Sequence, residues 1–251
     1  MVEPDTTPPD VQQIDMALRE LVQSFCAPIW WESGRQTVVN SGTMCVVMTS
    51  EAVFGVTNYH VLETYEKHKA GMHDIFCQLG SGPFDPSANL ISFNTHRDLA
   101  TFTMPELTLR TFGRKGFAAR EWPPKPITKE DYVVFGGYPE ERRSVQAGPN
   151  PATVANDFVS FRCWPHSCGP EQVSFRIDPA HLTWLPNVSE PLKPGASLSG
   201  MSGGPCFRLI PCENRIELAG FIYEGNYSLG IVLVSQASLI SATGQIAPKP
   251  Y

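Results

Sequence analysis

The chain has 251 residues, 19 of them basic and 25 acidic, for a formal net charge of -6. That length suits one compact unit with a sizeable core, and without a basic stripe a nucleic-acid backbone is not an expected partner. No run of about 18 apolar residues occurs, and residues 1–25 are acidic and proline-containing, so the expectation is a cytoplasmic protein with neither signal peptide nor membrane segment.

Pro8-Pro9-Asp10 followed by Val11, Ile14, Leu18, Leu21, Val22 and Phe25 sets an N-cap before an apolar stripe at helical spacing, which predicts one helix from about Asp10 to Phe25. After Trp30-Trp31 the pattern changes to short apolar runs broken by turn residues. Strands are expected at Thr43 to Met48, Val53 to Thr57 and Asp74 to Leu79. Proline and glycine recur from Lys115 to Pro126, as in a linker. Beyond Ile127, strands are expected at 132–135, 158–161, 172–177, 216–223 and 230–234. The expected organisation is therefore an N-terminal extension over 1–34, a first β unit with its linker over 35–125, and a second over 126–251. Two all-β halves around a linker suggest a double barrel.

The seven cysteines are an odd number in a chain too long to need a disulfide framework, so most are expected to be reduced and buried. Cys163, His166 and Cys168 crowd three potential zinc ligands into six residues but lack a fourth nearby; a hairpin tip with ordinary thiols is the preferred reading, and no metal is expected.

Gly200-Met201-Ser202-Gly203-Gly204-Pro205 places a serine between glycines that let the backbone turn tightly and aim amides at one point. The string also fits the nucleophile elbow of an α/β-hydrolase, but that fold needs an acid and a histidine after the serine, and neither Asp nor His occurs from Gly203 to Tyr251. The partners must lie upstream. A serine hydroxyl needs a base, and the base needs an orienting acid. His60 stands out at the end of the apolar run Val53 to Tyr59. Asp98 stands out at the entry to Leu99-Ala100-Thr101-Phe102. A lone histidine after a strand is ordinarily a polar strand end, and an aspartate before a strand a turn or cap; the two in order before Ser202 carry more weight. His96 is the rival base, two residues from Asp98.

Thr57-Asn58-Tyr59-His60-Val61, Asp98-Leu99-Ala100 and Gly200 to Pro205 together resemble the three motifs of trypsin-like serine proteases, the first and third closest to the HtrA/Deg-like branch, here without a PDZ domain. The resemblance spans roughly 35–243. It implies an all-β fold of two six-stranded antiparallel barrels with an N-terminal helix, and a serine endopeptidase acting through an acyl-enzyme without metal or organic cofactor. It makes His60 the base, Asp98 its orienting acid, Ser202 the nucleophile, and the amides of Gly200 and Ser202 the oxyanion hole. Protein or peptide is the implied substrate. The rival readings are a catalytically silent peptide-binding module and an esterase using the same residues.

Secreted relatives carry an aspartate before the serine that pairs with a freshly cut N-terminus. Met201 stands there, so packing or a bound partner must set the oxyanion hole. The resemblance also places Ala196 at the specificity-pocket floor and Gly225 and Gly230 at its wall, implying an open apolar pocket and a preference for a large hydrophobic residue before the scissile bond. Glu224 beside that wall either favours a basic residue further upstream in the substrate or is an exposed strand charge. The N-terminal helix is read as a strut, with docking of an activating partner or self-association as the sharper alternative.

Overall fold

The computed structural model describes residues 9–33, 37–71, 74–146, 153–177, 197–226 and 229–248. Helix α1 runs from Pro9 to Gln23. The first sheet comprises β1 (Cys26–Ser33), β2 (Thr37–Met48), β3 (Val53–Thr57), β4 (Ile75–Leu79), β5 (Gly82–Pro83), β6 (Leu90–Asn94), β7 (Leu99–Thr103) and β8 (Phe117–Ala118), interrupted by α2 (Tyr59–Gly71), α3 (Pro86–Asn89) and α4 (Glu106–Thr111). The remaining strands are β9 (Val133–Gly137), β10 (Arg143–Gln146), β11 (Thr153–Asn156), β12 (Val159–Cys163), β13 (Ser167–Cys168), β14 (Gln172–Arg176), β15 (Pro205–Ile210), β16 (Arg215–Asn226) and β17 (Ile231–Gln236).

The first sheet has the order β5-β4-β1-β2-β3-β7-β6 with β8 on β2, and the second the order β12-β9-β15-β16-β17-β14-β13, while β10 and β11 form a separate hairpin. Leaving aside the two-residue strands β5, β8 and β13, each sheet has six antiparallel strands, the double barrel expected. The β2–β8 pairing is parallel, because the linker strand returns alongside β2.

Two expectations are corrected. The first barrel begins at Cys26 rather than Arg35: β1 pairs with both β2 and β4 and turns Ala27, Ile29 and Trp31 into the first core. Residues 59–71 form a helix rather than continuing the β pattern. Their apolar residues Val61, Leu62 and Tyr65 fall on one face, which is buried.

Each barrel has its own core, one around Trp31, Phe84 and Phe102, the other around Phe135, Phe161 and Phe175. A third apolar cluster joins them at the seam, with Cys45, Phe54 and Val56 from the first barrel, Val134, Phe207 and Phe221 from the second, and Val22 from α1. Phe25, Phe117 and Phe207 meet there with ring centroids 5.1–5.5 Å apart. Such burial of large aromatics supplies most of the association between halves.

Helix α1 is fastened to the second barrel through its polar residues, while Ile14 and Leu21 of its apolar stripe stay exposed. Its buried Asp15 pairs with Arg162 Nε at 2.9 Å, and Arg19 donates from Nη2 to the Phe158 carbonyl at 3.1 Å, so both charges fasten the helix to β12 and its approach. Truncating one partner of a buried ion pair leaves the other charge desolvated. Asp15→Ala is therefore expected to lower unfolding free energy by roughly 3 kcal/mol, read from the urea midpoint at unchanged slope.

Candidate active site

Strand β3 ends at Thr57, so His60 is not a strand terminus but a first-turn residue of α2. The break falls at Asn58, which is fully buried and donates from Nδ2 to the Asp98 carbonyl at 2.7 Å. Asp98 closes the β6–β7 corner with a φ of 49°. A non-glycine residue in this left-handed region costs roughly 1 kcal/mol and persists only when its surroundings over-determine it. They do so here: Asp98 Oδ1 accepts the His60 backbone amide at 2.8 Å and Oδ2 accepts His60 Nδ1–H at 2.6 Å. Both carboxylate oxygens are thus spent on one residue. The clamp fixes the imidazole tautomer with its hydrogen on Nδ1 and leaves Nε2 as an acceptor.

His96 does not compete. It is exposed, and its backbone amide donates to Asn94 Oδ1 at 3.0 Å. His68 accepts from Trp31 Nε1 at 2.9 Å on the far part of α2.

Ser202 lies on the loop entering β15, and that loop is seated against the first barrel. Thr43 donates from its amide to the Ser202 carbonyl at 2.8 Å and from Oγ1 to the Gly200 carbonyl at 2.8 Å. Gly203 has a φ of 87°, and a Cβ there would stand 2.1 Å from the Thr43 carbonyl oxygen and 2.8 Å from Thr57 Cα. Only glycine permits this approach, which brings the residue after the serine against the end of β3, three residues before His60. Gly200 also has a left-handed φ, 89°, with its Cα against the Tyr138 carbonyl. Among the described residues the Gly200 and Ser202 amides have no acceptor and the Ser202 hydroxyl has no hydrogen-bond partner. Burial, and then the Glu224 and Asp98 carboxylates, raise the Tyr223 phenol on β16.

Met201 explains how the loop holds its shape. It is 1% exposed and sits in the second core with Phe135, Leu198, Cys206 and Ile222. A Cβ on Gly137 would stand 2.9 Å from Met201 Cα, so β9 presses on the loop backbone itself. Packing therefore holds the backbone next to Ser202.

The specificity residues separate. Ala196 lies outside the described residues. Gly225 does not face open space: a Cβ there would stand 2.7 Å from Leu198 Cδ1, and Leu198 is buried with the second core. The open wall expected from small residues is thus narrowed by an apolar side chain four residues before Ser202. Gly230 forms the β16–β17 turn with its Cα against the Ile177 carbonyl, and Glu224 is exposed on β16.

Among the described residues no three His, Cys, Asp or Glu side chains converge as metal ligands. Burial pushes the Cys163 thiol up to about 12 and raises that of Cys168, and His166 is exposed. All seven cysteines are free, four of them buried. Among the described residues no helix is long and apolar enough to cross a membrane.

The sequence marked Met201, but Thr43 and Asn58 were missed as site-building residues. Asn58 carried a signal, a polar residue closing an apolar run; Thr43 carried none, since its partners lie about 95 and 157 positions away.

No family model matches the sequence, and comparison with curated proteins finds no match. The likeness lies in the fold. The chain resembles a serine endoprotease of Yersinia pestis with a TM-score of 0.50 at 14% identity, over 90% of this chain and 62% of that one. It therefore spans less than two thirds of the Yersinia protein. The Rv3671c protease of M. tuberculosis follows at 0.43 and 17% identity, over 94% of this chain and 89% of that one. The protein has the double-barrel fold of chymotrypsin-like serine endopeptidases.

Replacing Met201 tests the packing account. Met201→Leu is expected to cost less than about 1.5 kcal/mol, whereas Met201→Asp, which buries a carboxylate without a partner, is expected to cost at least about 3 kcal/mol, both read by thermal or urea unfolding.

Proposed function

We propose that the protein is a serine endopeptidase in which His60, Asp98 and Ser202 act as a catalytic triad. The observation that carries this reading is the two-point clamp of Asp98 on His60 in the first barrel, set against a Ser202 loop of the second barrel whose Gly200 and Ser202 amides have no acceptor among the described residues. The Yersinia protein's description as a serine endoprotease agrees with it.

In this mechanism Ser202 Oγ attacks the scissile carbonyl carbon while His60 Nε2 takes its proton. Asp98 stabilises the imidazolium that results. The carbonyl oxygen becomes an oxyanion held by the Gly200 and Ser202 amides, each donor being worth about 3 kcal/mol. The imidazolium then protonates the departing amine, and water, deprotonated by His60, releases the acyl group from Ser202. The Ser202–His60 hydrogen bond this step requires is absent from the unliganded site and forms on substrate entry.

Ser202→Ala and His60→Ala are each expected to lower kcat by roughly 10^4-fold or more without altering the unfolding midpoint by a comparable measure. A fluorophosphonate probe is expected to label the wild type at Ser202 and neither variant. Absence of labelling at Ser202 supports the silent peptide-binding module instead, and turnover of activated esters without peptides supports an esterase.

Specificity follows from the wall. An apolar residue is proposed before the scissile bond, with Leu198 limiting its size, so that the large side chains expected from Gly225 and Gly230 are admitted fully only when Leu198 is trimmed. Peptide-library profiling is expected to show aliphatic residues at that position in the wild type and a shift toward Phe and Tyr in Leu198→Ala. A profile dominated by Arg or Lys refutes the assignment.

A further inference from the structure

The geometry points to Arg97 as a positioning residue for Asp98, acting as a rivet between the first barrel, the second barrel and the C-terminal segment; the kinetic part of this inference rests on the peptidase reading above. Arg97 is 3% exposed although it stands one residue before Asp98 on a hairpin corner. Its guanidinium crosses to the second barrel, where Nη2 pairs with Glu171 Oε1 at 2.8 Å, and Nη1 donates to the Ala247 carbonyl. Its Nε is unpaired.

The backbone of Arg97 is held equally firmly. Its amide donates to Asn94 Oδ1 at 3.0 Å, and its carbonyl accepts the Ser235 hydroxyl, also at 3.0 Å and fully buried. The partners are themselves fixed: Gln236 donates from its amide to the Glu171 carbonyl at 2.9 Å and from Nε2 to the Gly169 carbonyl at 2.8 Å. The tail that supplies Ala247 crosses the first barrel, where the Gly244 carbonyl accepts Thr101 Oγ1 at 2.6 Å and Ser92 Oγ accepts the Ile246 amide at 3.3 Å.

These bonds bear on Asp98 because its left-handed φ allows little relaxation. A turn free at Arg97 would let Asp98 return to the β or right-handed region, and neither conformation is the one that presents both oxygens to His60. Arg97 thus touches no reacting atom but sets the place from which Asp98 clamps the imidazole. Displacements of about 1 Å at such a group are worth roughly 100-fold in rate.

The test pairs kinetics with a spectroscopic readout of the dyad. In the wild type, the His60 Nδ1–H proton is expected as a downfield 1H NMR resonance, assigned by its loss in His60→Ala. In Arg97→Met that resonance is expected to broaden or move upfield, and kcat on a peptide to fall roughly 10- to 100-fold with KM within about 2-fold. Arg97→Lys, which keeps the charge and one donor, is expected to restore part of both. Should Arg97→Met fail to fold, Ser235→Ala removes only the bond to the Arg97 carbonyl and is expected to move the same resonance with a drop in kcat of about 5-fold. A wild-type resonance in the folded variant overturns the proposal, whether or not kcat has changed. A wild type without peptidase activity overturns the peptidase reading alone, since the resonance still decides the role of Arg97.

Discussion

The site depends on a single buried threonine that joins the two barrels. Thr43 donates its amide to the Ser202 carbonyl, donates its hydroxyl to the Gly200 carbonyl, accepts the Tyr138 amide on that same hydroxyl at 3.0 Å, and accepts the Thr57 hydroxyl on its carbonyl at 2.7 Å. Every polar group of the residue is used, and all of it is fully buried. Each bond adds only about 1 kcal/mol net, but each group left unpaired there would cost roughly 1 to 3 kcal/mol. The penalty for misalignment exceeds the reward for alignment. That asymmetry fixes the Ser202 loop to β2, and through Thr57 to the end of β3, far more sharply than the apolar seam around Phe207 does, since hydrophobic burial has no direction.

Around this junction the loop is shaped by packing. A salt bridge to a chain terminus is directional and can be made late, by cutting the chain. Met201 buried among Phe135, Cys206 and Ile222 forms with the core itself. The loop conformation is consequently coupled to folding of the second barrel, and Gly137, which admits no Cβ beside Met201, belongs to that same arrangement. The left-handed glycines at 200 and 203 complete it from the backbone side.

The architecture and the dyad were legible in the sequence because both are local patterns. The stripe from Ile14 to Phe25 yields α1, Val53 to Thr57 reads as a strand, and His60 and Asp98 each flank an apolar run. What stayed hidden is relational. The helix α2 was obscured because only Val61, Leu62 and Tyr65 of its thirteen residues are buried, too few to outweigh the neighbouring strand pattern. Strand β1 was assigned to the extension because its inward and outward faces both carry tryptophan, Trp31 at 0% and Trp30 at 3% exposure, so alternation is erased. Small residues predict open space only if nothing else fills it, and the space beside Gly225 is taken by Leu198, 27 positions away.

The placement of His60 and Asp98 divides between the two barrels the task of holding the strained corner at Asp98. The first barrel provides His60 and Asp98 from two different connections, α2 and the β6–β7 corner, so their 2.6 Å contact relies on the relative placement of those connections. Asn58 fixes one side of that placement from within the first barrel. The other side, at Arg97, is held by Glu171 and Ser235 of the second barrel and by the returning tail. Both carboxylate oxygens of Asp98 are directed at one histidine rather than at the frame around the corner. Its anchoring has to come from its backbone and its neighbour, and in this chain the neighbour reaches across the interface to the unit that carries the nucleophile. The His60–Asp98 contact is therefore held from both sides only when the barrels are docked, and the same docking seats the Ser202 loop on Thr43.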